Sequence, residues 1–211
     1  NGNPDVKLET TQIKNLPERK GFSKPIIPDF DRYGKHAEGT KQILQKLGPA
    51  KFCEWLKNET KIHFTDTTWR DAHQSLIATR LRTYDMLRVA ESYAKNHPHI
   101  FSLEVWGGAT YDVAMRFHHE DPWYRLRELR KAVPNILLQM LFRGSNAVGY
   151  SAYPNNLIER FIVEAAKEGI DIFRIFDSLN WIDGMRKSIE TVREKTNAIA
   201  EGCLCYTGDL Q

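Results

Sequence analysis

Between residues 63 and 75 the chain reads HFTDTTWRDAHQS, and Arg70, Asp71, His73 and Gln74 place four different hydrogen-bonding groups within five positions at the end of a β-prone run. Asp71 offers a hard oxygen donor and His73 a borderline nitrogen donor, both suited to a divalent metal. Arg70 and Gln74 can hold a small carboxylate or carbonyl, and an arginine fork matches a carboxylate as a lysine does not. Arg143 stands just after the apolar ILLQMLF, and Asp177 closes IFRIFD in the same way. Each residue also has a plain structural use. Asp71 could cap the next helix, Arg70 pair with a neighbouring acid, Arg143 pair over a surface loop, and Asp177 cap a helix at SLNW. Spacing alone leaves both uses open.

Other groups with chemical potential are weaker candidates. His97 and His99 form an HxH ahead of a β-prone run, and the doublet His118–His119 ends what reads as a surface helix; both are assigned to structure rather than to a metal. Cys53, Cys203 and Cys205 form no CxxC pair, and their odd number makes a poor disulfide framework, so packing is their expected role. Cys203 and Cys205, two apart in a β-prone run, are expected on one side of a strand. Trp106, Trp123 and Trp181 are expected as core or loop anchors.

The elements that must position these residues follow a rhythm. KIHFTDT, IFSLEVW, ILLQMLF, DIFRIFD and CLCYTGD are β-prone and recur every 31 to 38 residues, the spacing of βα units. Helical patterns lie between them. TYDMLRVAESYAKN puts Met86, Leu87, Ala90, Tyr93 and Ala94 on one face, DPWYRLRELRKAV opens on an acid and Pro122, and PNNLIERFIVEAAKEG stops at Gly169. Before them, Thr40–Asn58 reads as a helical pair interrupted at LGPA, and residues 1 to 38 as an extended linker from something upstream. The fold class expected is α/β, a (β/α)8 TIM barrel of which residues 39 to 211 supply about five β/α units after a helical lead-in. The five polar strand ends, TDTTWRDAHQ, EVWGGATYD, FRGSNAVGY, FDSLNW and YTGD, argue for a shared mouth, and no Gly-rich phosphate loop supports an open nucleotide-binding sheet.

Composition narrows the function classes. The 211 residues carry 30 basic and 27 acidic side chains, interleaved to a net +3, so there is no footprint for nucleic acid or an anionic membrane. No apolar run approaches the roughly 18 residues of a membrane helix, and the polar start lacks the apolar stretch of a secretory signal.

Taken together, DTTWRDAHQSLIATRLRT, SLEVWGGATYDVAMRF, DPWYRLRELRKAVPN, QMLFRGSNAVGY and GIDIFRIFDSLNW resemble the carboxyltransferase domain of pyruvate carboxylase, over about Gly39 to Leu210. The resemblance implies a barrel in which carboxybiotin, made at a separate ATP- and bicarbonate-using domain, gives its carboxyl group to pyruvate and yields oxaloacetate, a step of anaplerosis and gluconeogenesis. It implies that Asp71 is a ligand of a divalent metal such as Mn or Zn. It further implies that Arg70, His73, Gln74 and Arg143 lie at the substrate site, with Arg143 at the pyruvate carbonyl and carboxylate, and that Asp177 sits beside a carboxylated lysine as a catalytic residue. The partners implied are the biotin carrier and biotin carboxylase domains and a homo-oligomer, a tetramer, in bacterial cytoplasm or the mitochondrial matrix. The oxaloacetate decarboxylase α subunit and the pyruvate-using transcarboxylase subunit share the first motifs and are the rival readings; a non-catalytic truncated assembly module is a third.

The family's carboxylated lysine, its later HxH metal ligands, its biotin-facing threonine and its biotinyl-lysine motif have no counterpart in these residues. The 211-residue polypeptide by itself is therefore expected to be a portion of a longer protein, inactive and a weak metal binder, with sheet edges that make it sticky.

Overall fold

The structure is a computed structural model that describes residues 26 to 208. Residues 1 to 25 of the expected linker and Asp209 of YTGD lie outside the described residues. The elements are α1 (Thr40–Asn58), β1 (Thr65–Asp66), a π-helical turn (Thr68–Ala72), α2 (His73–Ile77), α3 (Thr83–Asn96), β2 (Ser102–Trp106), α4 (Gly108–Val113), a second π-helical turn (Ala114–His118), α5 (Pro122–Ala132), β3 (Leu137–Phe142), a 3-10 turn (Gly144–Asn146), α6 (Asn155–Glu168), β4 (Ile172–Phe176), α7 (Ile182–Lys195) and β5 (Ile199–Cys203).

All four strand pairs are parallel, and the strands lie side by side in chain order, β1 to β5. A doubly wound sheet reverses its strand order at a switch point; this one does not, which is the arrangement of a partial TIM barrel. Alternation along each strand divides the two faces. Leu103, Val105, Leu138, Met140, Phe142, Phe173 and Ile175 face outward and pack on Met86, Ala90 and Ala94 of α3, Leu126 and Leu129 of α5, Ile158, Ile162 and Ala165 of α6, and Met185 and Val192 of α7. The inner face begins with Leu137 and Ile172, which α1 covers with Leu44 and Phe52. The helical lead-in is thus the floor of the barrel.

Local chemistry explains where the helices begin and end. Asp121 accepts from the Trp123 N–H at 2.8 Å and Pro122 fills the first turn of α5, as the sequence pattern predicts. The expected pair at Thr40–Asn58 is present: within α1 two helical segments meet at Gly48, whose non-helical φ of 73° only glycine adopts freely, followed by Pro49. At the floor Asp171, 3% exposed, accepts from Arg130 Nη1 at 2.7 Å and Leu138 N at 2.9 Å and pairs with Lys41, tying α1, α5, β3 and β4 together.

Three expectations need correction. KIHFTDT yields only the two residues of β1, because this edge strand pairs on one side and turns into the π-helical turn at Thr68. CLCYTGD is not the fifth strand; β5 starts earlier, its register set by the Ile199 N–H bond to the Asp171 carbonyl, and Leu204 and Tyr206 are exposed beyond it. Cys205 lies outside the strand and is exposed, as is Cys53, so neither packs as expected; Cys203 is half-buried, and all three are free thiols. Trp106 is fully buried, and Trp181, 58% exposed, stands in the turn that Asp177 holds through its N–H, so each occupies one of the two expected places.

Candidate functional site

The polar ends of the strands meet on the inner side of the sheet. Among the outward-facing apolar residues of β2, β3 and β4 stand Glu104, Gln139 and Arg174, and all three turn inward. Glu104 is fully buried. Its Oε1 accepts from Arg70 Nε, and its Oε2 accepts from Gln139 Nε2 at 2.9 Å and Arg174 Nη1 at 3.1 Å. A carboxylate out of water is tolerated only with such a full set of donors. It locks Arg70, itself 4% exposed, so that Nη1 remains to reach Asp71 Oδ1 at 3.1 Å and Gln74 Oε1 at 3.4 Å. With Gln74 Oε1 turned to Arg70, the amide nitrogen of Gln74 is left as a donor.

Arg143 approaches from β3. The backbone just after β2 runs past both arginines and makes room for one of them: a Cβ on Gly107 would meet Arg70 Cδ at 3.5 Å, an ordinary contact, whereas one on Gly108 would stand only 2.7 Å from Arg143 Cζ. Arg143 Nη1 donates to the Gly149 carbonyl at 3.0 Å, and its guanidinium lies 5.4 Å from the centre of the Tyr150 ring. Tyr150 Oη in turn reaches Asp112 Oδ2 at 3.4 Å. Between Arg143, Gly149 and Tyr150 on one side and Phe176, Asp177 and Ser178 on the other lies an open cleft of about 330 Å³, a volume in the range of small-ligand sites. Gly108→Ala should therefore raise KM for the ligand of Arg143 about tenfold or more by pushing the guanidinium aside, with the fold intact, as steady-state kinetics would show.

The structure brings Arg70, Asp71 and Gln74 together, sets Arg143 beside them across Gly107–Gly108, and places Asp177 in the Arg143 cleft. Asp71 caps no helix, since Asp66 accepts from the Thr68 N–H that opens the loop; it stands half-exposed at the rim. Asp177 caps no helix either: α7 begins at Ile182 without a side-chain cap, and Oδ1 instead accepts from the Leu179 and Trp181 N–H groups of the turn before it at 2.9 and 3.0 Å. His73 is not among the groups at the mouth. It is 5% exposed, and Nε2 bonds to the Trp69 carbonyl at 2.9 Å. Burial, with the Arg125, His118 and Arg70 charges adding to it, holds its imidazole down at about 4 against the Trp69 bond, so the ring is neutral near pH 7.

A divalent ion takes about four donors. Among the described residues no three His, Cys, Asp or Glu side chains come together, so Asp71 is a single donor and these residues do not assemble a metal site.

Behind the loop, Glu120 accepts from Thr83 N and Oγ1 at 3.1 and 2.6 Å and from the fully buried Arg125 at 2.9 Å. Burial pushes the Glu120 carboxyl up, but these donors outweigh it and hold it at about 2. A carboxylate depressed below its ordinary value of 4.5 stabilises the fold above that pH, and the contribution is lost as pH falls from 4.5 toward 2. Thermal midpoints measured across that window should decline in the wild type and decline less steeply in Glu120→Gln.

Sequence reasoning missed Glu104, Gly107, Gly108, Gln139, Arg174 and Tyr150. The signal for three of them was present: one polar residue at the centre of each of SLEVW, LLQMLF and IFRIF, where a barrel strand is expected to be apolar on both faces.

The chain is similar to pyruvate carboxylases from Staphylococcus aureus, 57% identical over 210 residues, covering the whole chain and 18% of the relative, and Bacillus subtilis, 52% identical over 193 residues, covering 92% of the chain and 17% of the relative. The chain thus spans under a fifth of the length of these curated relatives. Among solved structures, the carboxyl transferase domain of Rhizobium etli pyruvate carboxylase with pyruvate matches at a TM-score of 0.86 and 51% identity, over 90% of this chain and 32% of that one. The same domain with oxamate and biotin matches at 0.84 and 52% identity, over 88% of this chain and 31% of that one. No family model matches.

Proposed function

We infer, from its homology to part of the carboxyltransferase domain of pyruvate carboxylases, that this chain forms half of the site at which pyruvate is carboxylated to oxaloacetate. The observation that carries the reading is the approach of two arginines to the two glycines that follow β2, Arg70 fixed by Glu104 on one side and Arg143 free to face the cleft on the other.

The division of labour follows from the geometry. Arg143 presents a planar fork to the carboxylate and carbonyl of a 2-keto acid. Arg70 and the Gln74 amide, aligned through the 3.4 Å bond between them, add positive charge and a donor where negative charge grows on the carbonyl oxygen as pyruvate is converted to its enolate. Because Glu104 holds Arg70 before any ligand arrives, that charge requires no reorganisation during the reaction. Asp177, in the cleft wall, orients the loop through Trp181 and faces the substrate side of Arg143. A biotin borne on another domain and loaded from bicarbonate and ATP would supply the carboxyl group, its ureido nitrogen ending with the proton that the pyruvate methyl gives up, and the open 330 Å³ cleft beside Tyr150 is where that group would be received. Asp71, at the rim, would add one oxygen to a metal whose other ligands come from beyond these residues.

The test is the assay of the full-length polypeptide with pyruvate, bicarbonate, ATP and bound biotin. Oxaloacetate should form in proportion to ATP cleaved, independent of sodium. ATP cleavage without oxaloacetate, or decarboxylation of oxaloacetate that requires sodium, would contradict the reading.

A further inference from the structure

The loop that carries Arg70, Asp71 and Gln74 closes on two consecutive residues in left-handed backbone, Ala78 at φ 50° and Thr79 at φ 62°. Thr79 is β-branched and 3% exposed, and such a residue keeps this conformation only where its surroundings hold it there. Two hydrogen bonds do so. The Thr79 N–H donates to the His73 carbonyl at 2.9 Å, and the Thr79 carbonyl accepts from Nε2 of His118 at 3.0 Å. A carbonyl only accepts, so the proton on Nε2 is fixed by this contact.

His118 belongs to the doublet that the sequence assigns to a surface helix, yet it is 8% exposed and ends the second π-helical turn, 39 residues beyond the residue it holds. Its own carbonyl is held by Arg82 Nη2 at 3.2 Å, and Arg82 Nε reaches Glu120 at 3.3 Å. From Thr79 the bonds continue through the His73 carbonyl, and the His73 ring donates to Trp69, the residue before Arg70. A continuous chain of hydrogen bonds therefore joins the end of the second π-helical turn to the first, which presents the polar groups of the mouth.

We propose that His118 is a positioning residue for the keto-acid site: by donating to the Thr79 carbonyl it pins the left-handed closure of the loop and so fixes where Asp71 and Gln74 stand relative to Arg70. The proposal rests on the carboxyltransferase reading for its kinetic consequence, though not for its structural one. Arg70 is anchored independently by Glu104, so loss of the His118 donor releases the rim of the site rather than the barrel.

The experiment compares His118→Leu and His118→Gln in the full-length polypeptide, with oxaloacetate formation, thermal midpoint and backbone amide exchange over residues 68 to 79 as readouts. His118→Leu should lower kcat/KM for pyruvate by up to about 100-fold, since a misplacement of order 1 Å suffices for that. The Thr79 and Arg70 amides, which bond to His73 and Thr67, should exchange about tenfold faster. His118→Gln, whose side-chain NH₂ can replace the donor, should recover most of both. A folded His118→Leu with wild-type kinetics and exchange overturns the proposal, as does a Gln variant no better than Leu. Should His118→Leu fail to fold, Thr79→Gly supplies the second arm: glycine adopts the left-handed backbone without strain, so removing His118 in that background should cost less than in the wild type. An equal cost overturns the proposal. A wild-type chain that makes no oxaloacetate overturns the carboxyltransferase reading instead, and amide exchange still decides the role of His118.

Discussion

Arg143→Ala is expected to lower kcat/KM for pyruvate about 10²- to 10³-fold, the usual loss when one donor aimed at a developing oxyanion is removed. The side chain is well placed for this because little else holds it: one bond to the Gly149 carbonyl, one aromatic ring beside it, and the cleft in front. Its removal should leave the thermal midpoint nearly unchanged, since no buried carboxylate depends on it. Arg143→Lys should not restore the rate, because an ammonium offers a point charge where the site offers room for a planar fork beside Gly108. Biotin-dependent ATP cleavage without pyruvate should persist in both variants. That separates a defect at this site from a general loss of the enzyme.

Glu104→Ala is expected to cost about 3–5 kcal/mol of stability, the effect of leaving a buried ion without its partner. Arg70 and Gln139 are both nearly inaccessible to water, and Arg174 is two-thirds covered, so their donors cannot simply turn to solvent when the carboxylate goes. Glu104→Gln keeps one acceptor and should lose less. The denaturation midpoint and the yield of soluble full-length polypeptide measure the first effect. In whatever folds, kcat for oxaloacetate formation should also fall, because Arg70 then has no fixed place. Stability and activity fail together at this residue, whereas at Arg143 activity fails alone.

Much of this was legible because it is local. A helix over 83 to 96 and another from Asn155 to the stop at Gly169 follow from apolar spacing and terminal residues, and the structure has both with the expected limits. The parallel order of five strands follows from their spacing in the chain. What is not local was harder to read. Glu104 is one acid inside a β-prone run in the chain alone; only the register that sets it against Gln139 and brings Arg70 above it reveals a polar layer inside the barrel. CLCYTGD has the β-prone composition, but bonding to Asp171 and β4 places the strand at Ile199–Cys203. His73 shares a loop with Asp71 and Gln74, yet its ring is turned into the packing by the Trp69 carbonyl, which no spacing rule anticipates. Gly108 carries no chemistry of its own; its importance is the absence of a Cβ, visible only once Arg143 is in place.

The most direct measurement is a crystal structure of the full-length polypeptide soaked with pyruvate. Density for the keto acid should lie at the mouth of the strands, its carboxylate or carbonyl oxygen about 3 Å from the Arg143 guanidinium and its other polar atoms within reach of Gln74 and Arg70. Pyruvate bound elsewhere, with Arg143 still directed only at Gly149 and Tyr150, would contradict the assignment of this mouth as the carboxyl-accepting site.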